Sequence, residues 1–421
     1  MQTRRAPLDD LQEIVGTENV REATAEDAVD GVEPSLVVEP GSTEEISAVM
    51  KLARSEGLAV APRGGGTKRT LGNPPRELDL VLSTVRLDEI IEHVPGDQIV
   101  RVQSGVKLET LQESLAEANQ ILALDPPEKG ATVGGIVAAN SSGPRRYKYG
   151  TVRDLIIGIT VVLADGTVAK AGGKVVKNVA GYDLSKLFTG SLGTLGVIVD
   201  ANFRLHPRPE SARTVAVEVE TPQAAREAAQ AIVHSQVEAT AIELHWSESA
   251  KLLSVLLESI PAGIEAKEEG ASFLLKSFGE VRTLTDEETD NLGPLSPPGE
   301  EDEVALKVAA PPAELSAVLD SVLGAAERRS VRPRITGHAG TGVTYVGLSG
   351  GEDALVEVVE EVREIWVRRG GSVMVHDAPT SFKRKLDVWG AGGDYLGLTR
   401  RVKEKFDPGY TMNPGRFLGG I

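Results

Sequence analysis

Between Gly130 and Ile198 glycine recurs at positions 130, 134, 135, 143, 150, 158, 166, 172, 173, 181, 190, 193 and 196. Glycine serves positive φ and close approach to backbone, so a segment this rich in it must turn often or lie against something flat. Leu155 to Leu163, an apolar run closed by Asp165-Gly166, predicts a buried strand entering a tight turn. The pattern suits a long, flat, phosphate-bearing ligand laid on bare main chain. A glycine-rich β domain with many turns is the alternative.

Upstream, Ser35 to Val38 predicts a strand, and Ser42 with Glu45 predicts a capping box. Ile46, Val49, Met50 and Ala53 follow at helical spacing. Leu58 to Ala61 is a second strand and runs into Pro62-Arg63-Gly64-Gly65-Gly66-Thr67-Lys68. This order places several main-chain N–H groups in one loop, a suitable nest for a pyrophosphate. A G-x-G-x-x-G pattern starting at Gly64 fails at Arg69, and Gly173-Lys174 is followed by Val175 rather than the hydroxyl of a P-loop. Ile99 to Val102 predicts a strand, Leu108 to Asn119 a helix, and Phe203 to Pro209 (FRLHPRP) an exit linker.

From about Thr214 the glycines thin out. Thr221-Pro222 marks a helix start, followed by Ala225, Ala228, Ala229 and Ile232 on one face. Strands are predicted at 238–245, 271–275, 303–309, 331–336, 343–348 and 372–376, and helices near 312–327 and 353–368. Thr283 to Glu303, acidic and proline-bearing, predicts an exposed loop. The alternation points to an α+β domain with an antiparallel sheet. Pro408-Gly409 and Pro414-Gly415 predict that the last segment ends in ordered coil.

A chain of 421 residues predicts two or three domains. Its 45 Lys and Arg against 62 Asp and Glu leave a net charge of −17, which argues against nucleic acid and anionic membrane as partners. The absence of cysteine excludes a disulfide, an iron–sulfur cluster and a thiolate zinc site within this chain. The N-terminal stretch lacks an apolar signal core and no run approaches membrane-spanning length, so a cytoplasmic location is expected, with any membrane association made through a partner.

Four motifs together resemble the flavin-binding fold of the vanillyl-alcohol-oxidase and D-lactate-dehydrogenase superfamily. They are PRGGGTK at 62–68, DPP…ATVGGIVAANSSGPRR at 125–146, GYDLSKLFTGSLGTLGVI at 181–198 and DPGYTMNPGR at 407–416. Within that superfamily the chain is most similar to the E-subunit family of bacterial glycolate oxidase flavin subunits. The resemblance implies an α+β chain: a p-cresol-methylhydroxylase-type (PCMH-type) FAD-binding domain of two α+β subdomains over 1–208, and an α+β cap with an antiparallel sheet over 209–377. A segment over 378–421 is expected to return to the flavin site. It further implies that Gly64, Gly65, Gly66 and Thr67, flanked by Arg63 and Lys68, receive the pyrophosphate of FAD. Pro127, Thr132, Gly134, Gly135, Asn140, Ser141, Ser142 and Gly143 line the flavin and its phosphates. Gly193, Gly196, Val197 and Ile198 meet the adenosine or ribityl side. Some relatives carry, where Thr67 stands here, a histidine that bonds covalently to the flavin; its absence implies dissociable FAD. The implied partners are a small 2-hydroxy acid, a second flavin subunit and an iron–sulfur subunit.

Oxidising a 2-hydroxy acid needs a cation for the carboxylate and a base or metal for the hydroxyl proton. Related dehydrogenases show H-x-G-D-G-N-x-H, in which two histidines serve a metal and the substrate. Here the segment is His338-Ala339-Gly340-Thr341-Gly342-Val343-Thr344-Tyr345, which keeps the first histidine and both glycines but loses the acid, the amide and the second histidine. One remaining ligand does not make a metal site, and none is expected. The candidate catalytic residues are His338, the histidine that this motif keeps, and Arg416 and Asn413, which stand in the MNPGR turn that resembles the flavin-facing tail. Arg334 and Arg384 are further cations for which surface ion pairs are expected.

Overall fold

The computed structural model describes residues 7–173, 183–292 and 303–421. Gly181 and Tyr182, and the part of the predicted acidic loop at 293–302, lie outside them. The chain forms two compact units. One comprises residues 1–142, 151–208 and 391–421, and the other residues 143–150 and 209–390.

The first unit holds two main sheets and, in addition, the two-stranded pairing of Gln120–Ile121 with His206–Pro207. In the smaller of the main sheets, Val20–Glu22, Leu36–Val38, Leu80–Ser83 and Val60–Arg63 lie in that order, and the last three are mutually parallel. The helix Thr43–Glu56 joins two of them as a βαβ crossover. Its start is fixed by Ser42, whose side chain accepts from the Glu45 amide (3.1 Å), a contact of about 1 kcal/mol. Glu45 reaches back one residue further than a capping box, to the Gly41 amide (2.7 Å). Gly57 ends the helix at φ 64°. Ile46, Val49, Met50 and Ala53 are buried at the predicted spacing.

The larger sheet is antiparallel, in the order Ile90–Val94, Ile99–Gln103, Val197–Arg204, Ile156–Val162, Val168–Gly172. The turn after Ile156–Val162 has Gly166 at φ 80°, as the Asp165-Gly166 pair predicts. Phe203, taken from sequence as the start of a linker, is instead buried in Val197–Arg204. The break between units falls at Arg208–Pro209.

The second unit is one eight-stranded antiparallel sheet with helices. Its order is Val281–Leu284, Ser211–Glu218, Lys251–Ser259, Ala241–Trp246, Arg332–His338, Val343–Ser349, Glu303–Ala309, Ser372–Asp377. Ile242, Leu244, Ile335, Val346, Leu306, Val308, Val373 and Val375 join one core with residues of the helices Pro222–Val233, Pro261–Leu275, Leu315–Glu327 and Glu352–Arg368. By the two-residue period of a strand, Glu243, Thr336, His338, Tyr345 and Lys307 fall on the other face.

Three local expectations are corrected. Residues 271–275 are not a strand but the end of the helix Pro261–Leu275, whose buried Ile264, Ala271 and Leu275 recur at helical intervals. A five-residue apolar run does not distinguish the two structures. The predicted loop at 283–303 begins with the end of the strand Val281–Leu284 and the helix Asp286–Asn291, capped by Thr285. The last segment is not all coil: Leu396–Phe406 is helical, and its buried residue is Lys403 rather than an apolar side chain.

Candidate flavin site

A cleft enclosing about 900 Å³ of unfilled space, continuous with solvent, lies in the first unit. Three loops and the C-terminal tail build its wall. The loop after Val60–Arg63 contributes Arg63, Gly64, Gly65, Gly66, Thr67 and Lys68. The loop before and the start of the helix Val133–Ala139 contribute Thr132, Gly134 and Gly135. The segment entering Val197–Arg204 contributes Leu192, Gly193, Gly196, Val197 and Ile198, and the tail contributes Asn413 and Arg416.

The first two loops are in contact, and glycine makes this so. A Cβ at Gly64 would stand 2.0 Å from Thr132 Oγ1, and one at Gly65 would stand 2.2 Å from the Gly130 carbonyl oxygen. Gly66 and Gly193 take φ of 73° and 66°. Gly135 differs, since its nearest neighbour would be Thr132 Oγ1 at an ordinary 3.4 Å. That position is bare for a reason other than protein packing.

The wall carries unspent hydrogen-bonding capacity. The main-chain amides of Gly64, Gly65, Gly66, Thr67 and Gly135 donate to no acceptor among the described residues. Thr132 Oγ1, Ser104 Oγ and Asn413 Oδ1 are buried without partners. Buried polar groups are ordinarily paired, so such a cluster in a cleft wall fits a polar ligand that completes it. Main-chain amides beside glycine suit phosphate oxygens.

Charged residues brace the loops. Arg63 donates to Asp27 (2.7 Å), which also takes Arg21 (2.7 and 2.6 Å) and the Thr24 amide (2.9 Å). These bonds, Arg21 first, hold the Asp27 carboxyl well below the usual carboxylate range. Lys68 pairs with Glu128. Arg416 is buried and donates to the Leu71 carbonyl; burial pushes its guanidinium down to about 10.

The tail is anchored by a group that sequence reading passed over. Lys403, fully buried, donates to Thr194 O (2.7 Å), Asp407 Oδ2 (2.7 Å) and Met412 O (2.8 Å). Asp407 in turn accepts from the amides of Thr411 (3.0 Å) and Met412 (2.8 Å). The tail also pairs with the parallel sheet, Val60 N to Thr411 O (2.8 Å) and Asn413 N to Val60 O (2.9 Å). Asn413 Nδ2 reaches Leu192 O (2.8 Å). The i, i+4 spacing of Lys403 and Asp407 was visible in the sequence, but nothing there marked the pair as buried.

Not all expected residues meet at the cleft. Pro127 and Asn140, Ser141, Ser142 and Gly143 do not line it. Asn140 ends the helix Val133–Ala139 at φ 48°. Ser141 donates to Glu128 (2.9 Å), and Ser142 accepts from the Val152 amide (3.3 Å). Gly143 belongs to the second unit, where it opens a segment tied down by Arg145 to Glu258 (2.6 Å).

His338 also lies in the second unit, in the strand Arg332–His338. It is buried, and its Nδ1 stands 2.8 and 3.1 Å from the two carboxylate oxygens of Glu243. Burial, then the cations Arg146 and Lys307, push the ring well below its ordinary value, so it is neutral at physiological pH. Among the described residues no group of three or more His, Asp and Glu comes together as a metal would require. Arg334 shares the strand of His338, and Arg384 follows the short helix Thr380–Lys383.

A glycine-floored cleft of this kind, with unpartnered main-chain amides in its wall, fits the diphosphate of a dinucleotide. Residues 34–172 match the FAD binding domain family, and residues 301–417 match the C-terminal domain of FAD linked oxidases. The chain thus carries the FAD-binding domain and the C-terminal domain of FAD linked oxidases, and its cofactor is FAD. It is 36% identical to glycolate oxidase subunit GlcD of Bacillus subtilis over 205 residues, 48% of this chain and 44% of GlcD. It is 29% identical to the D-lactate dehydrogenase of Archaeoglobus fulgidus over 408 residues, 91% of each chain. The match thus spans less than half of GlcD. Among solved structures, p-cresol methylhydroxylase with substrate bound shares the fold at a TM-score of 0.77 and 16% identity, over 97% of this chain and 95% of that one. Alkyldihydroxyacetonephosphate synthase does so at 0.74 and 17%, over 99% and 86%. No helix among the described residues is long and apolar enough to cross a membrane.

Proposed function

We propose that this chain is the FAD-binding subunit of a complex that oxidises a small 2-hydroxy acid, glycolate, to the 2-oxo acid. The observation that carries the reading is the cleft: five unpartnered main-chain amides and three unpartnered buried side-chain oxygens or hydroxyls share one glycine floor. The names of the relatives support the substrate class, since GlcD is a glycolate oxidase subunit and the Archaeoglobus protein a D-lactate dehydrogenase.

FAD, when bound, accepts the hydride equivalent. Gly64 to Thr67 would hold its diphosphate, with Arg63 kept in place by Asp27 and Lys68 by Glu128. Thr132, Gly134, Gly135, Gly193, Gly196, Val197 and Ile198 would line the rest. Asn413 offers its unpartnered Oδ1, and Arg416 a buried cation. We assign the hydroxyl proton to neutral His338. Thr67 has no ring nitrogen to alkylate, so the flavin is dissociable. This sequence has no cysteine, so any iron–sulfur centre that takes the electrons would belong to another subunit, and the reading includes such a subunit and a second flavin subunit as partners. A cytoplasmic location, with membrane contact only through such partners, accompanies this reading.

The test is the flavin spectrum of the purified chain under anaerobic conditions. A yellow protein bleached by glycolate only after its partner subunits are added is the expected result. Bleaching by glycolate or D-lactate in the chain alone would make it a self-sufficient dehydrogenase. Failure to retain added FAD would overturn the reading in favour of a flavin fold kept for assembly.

A further inference from the structure

We infer that Asp27 is a positioning residue for the cofactor: it holds the Arg63 guanidinium in the cleft wall so that the remaining N–H groups of that fork meet the diphosphate of FAD. The inference rests on the assignment of the Gly64 to Thr67 loop to the diphosphate above, and it does not use the substrate.

Arg63 closes the strand Val60–Arg63 and leads into the glycine loop. The sheet fixes its main chain, which pairs with Ser83 in Leu80–Ser83, and its carbonyl accepts from the Thr84 amide (2.8 Å). The sheet does not fix its side chain, a long stem whose free rotations are lost when it is ordered. Asp27 supplies that constraint. Arg63 Nη1 donates to its Oδ1 at 2.7 Å, with the carboxylate 4% exposed and the arginine side chain 18% exposed. A guanidinium carries five N–H donors. Asp27 takes one, and the others find no acceptor among the described residues although Arg63 lines the cleft. Arginine matches phosphate oxygens in two parallel bonds, so a fork tied at one nitrogen is suited to a diphosphate.

Asp27 is itself held on several sides. Arg21 donates to both of its oxygens (2.7 and 2.6 Å), and Thr24 donates through its amide (2.9 Å) and its hydroxyl (3.1 Å). Asp27 ends the short turn Ala25–Asp27, so the Thr24 bonds are local, whereas Arg63 lies 36 residues further along the chain. These bonds, Arg21 first, keep the carboxyl ionised well below the usual carboxylate range, so its hold on Arg63 persists at any ordinary pH. Glu39 and Glu26 act on Arg21 through space. Lys68, the other cation beside the glycines, is placed differently, since Glu128 pairs with it from the loop before Val133–Ala139. All these residues belong to the first unit. A carboxylate near a diphosphate repels it, so a buried Asp27 beside this loop costs binding energy that the ordering of Arg63 has to outweigh. The two effects have opposite signs, which makes them separable.

The test is FAD titration of the FAD-free full-length chain, followed by flavin fluorescence, for Asp27→Asn, Arg63→Met and the double variant. Asparagine keeps an oxygen for the Thr24 amide and removes the negative charge. If charge alone mattered, Asp27→Asn would bind FAD more tightly. We expect it to bind about threefold to tenfold more weakly, the cost of ordering one long side chain on binding. Arg63→Met should weaken binding on the order of tenfold to a hundredfold, through loss of charged hydrogen bonds. In the Arg63→Met background Asp27→Asn should cost less than about twofold, because there is no fork left to position. A merely structural Asp27 would cost the same in both backgrounds. ADP, used as a competitor, should lose affinity in parallel with FAD in Arg63→Met, since the diphosphate is common to both. Tighter or unchanged FAD binding in Asp27→Asn, an equal loss in both backgrounds, or ADP affinity untouched by Arg63→Met overturns the inference. Should Asp27→Asn fail to fold, Arg21→Met takes its place in the cycle, because it removes two of the bonds on the Asp27 carboxylate and lies outside the cleft wall; the same coupling to Arg63→Met is then required. A wild-type chain that binds neither FAD nor ADP defeats the functional reading above and this inference with it.

Discussion

Replacing Lys403 by methionine should be among the most damaging single changes outside the cleft wall. The ammonium has three hydrogens and three acceptors, at 2.7, 2.7 and 2.8 Å, and the side chain has no exposed surface. Methionine fills much of the volume but leaves Asp407 charged and buried, with two carbonyls stripped of their donor. Removing one partner of a buried ion pair costs about 3–5 kcal/mol. The two amides that Asp407 keeps, from Thr411 and Met412, place the expectation toward the lower end. Since a domain is stable by only about 5–15 kcal/mol, this is a large fraction of the total. It should be read by urea unfolding of the purified protein, with flavin retention measured in parallel. Thr194 and Met412 flank residues of the cleft wall, so FAD should bind more weakly before the unit unfolds. The companion Lys403→Met, Asp407→Asn variant removes both charges and should be more stable than Lys403→Met alone, with a coupling energy above about 1 kcal/mol. A loss below about 1 kcal/mol in Lys403→Met, or strict additivity in the pair, would refute the reasoning.

Other outcomes follow from the same geometry. Gly65→Ala drives a methyl group into the Gly130 carbonyl, so stability should fall by about 1–3 kcal/mol and FAD retention with it. Gly135→Ala has room and sits in a helix, so thermal stability of the FAD-free protein should hold or rise by up to about 1 kcal/mol while FAD affinity drops. That split, measured by apo-protein melting and flavin titration, separates a ligand-facing glycine from a packing one. Asp27 titrates lower in the folded chain than in the unfolded one, so its stabilisation is present above about pH 4 and is lost as pH falls. Asp27→Asn should flatten the acid end of the stability curve. Arg145→Met strands the buried Glu258 carboxylate, but Arg145 is a third exposed, so a loss of about 1–3 kcal/mol in unfolding free energy is expected.

Local chemistry determined a good deal without any knowledge of the fold. Ser42 and Thr221 accept the cap bonds that their positions predict, because a cap is settled within four residues. The buried stripe of Thr43–Glu56 and the turn at Gly166 were legible for the same reason. So was the glycine loop after Val60–Arg63, since a strand that ends in three glycines has few other uses. The tail helix Leu396–Phe406 was not legible, because it buries a lysine where an amphipathic pattern would show an apolar residue. Only the tertiary structure decided which glycines a side chain would drive into protein and which leave room for one, since Gly65 and Gly135 look alike in a sequence. It alone paired Glu243 with His338 and anchored the tail through Lys403. Sequence patterns encode the period of a strand or helix and the demands of a turn. The meeting of distant charges depends on register and burial, and these exist only once the chain has closed on itself.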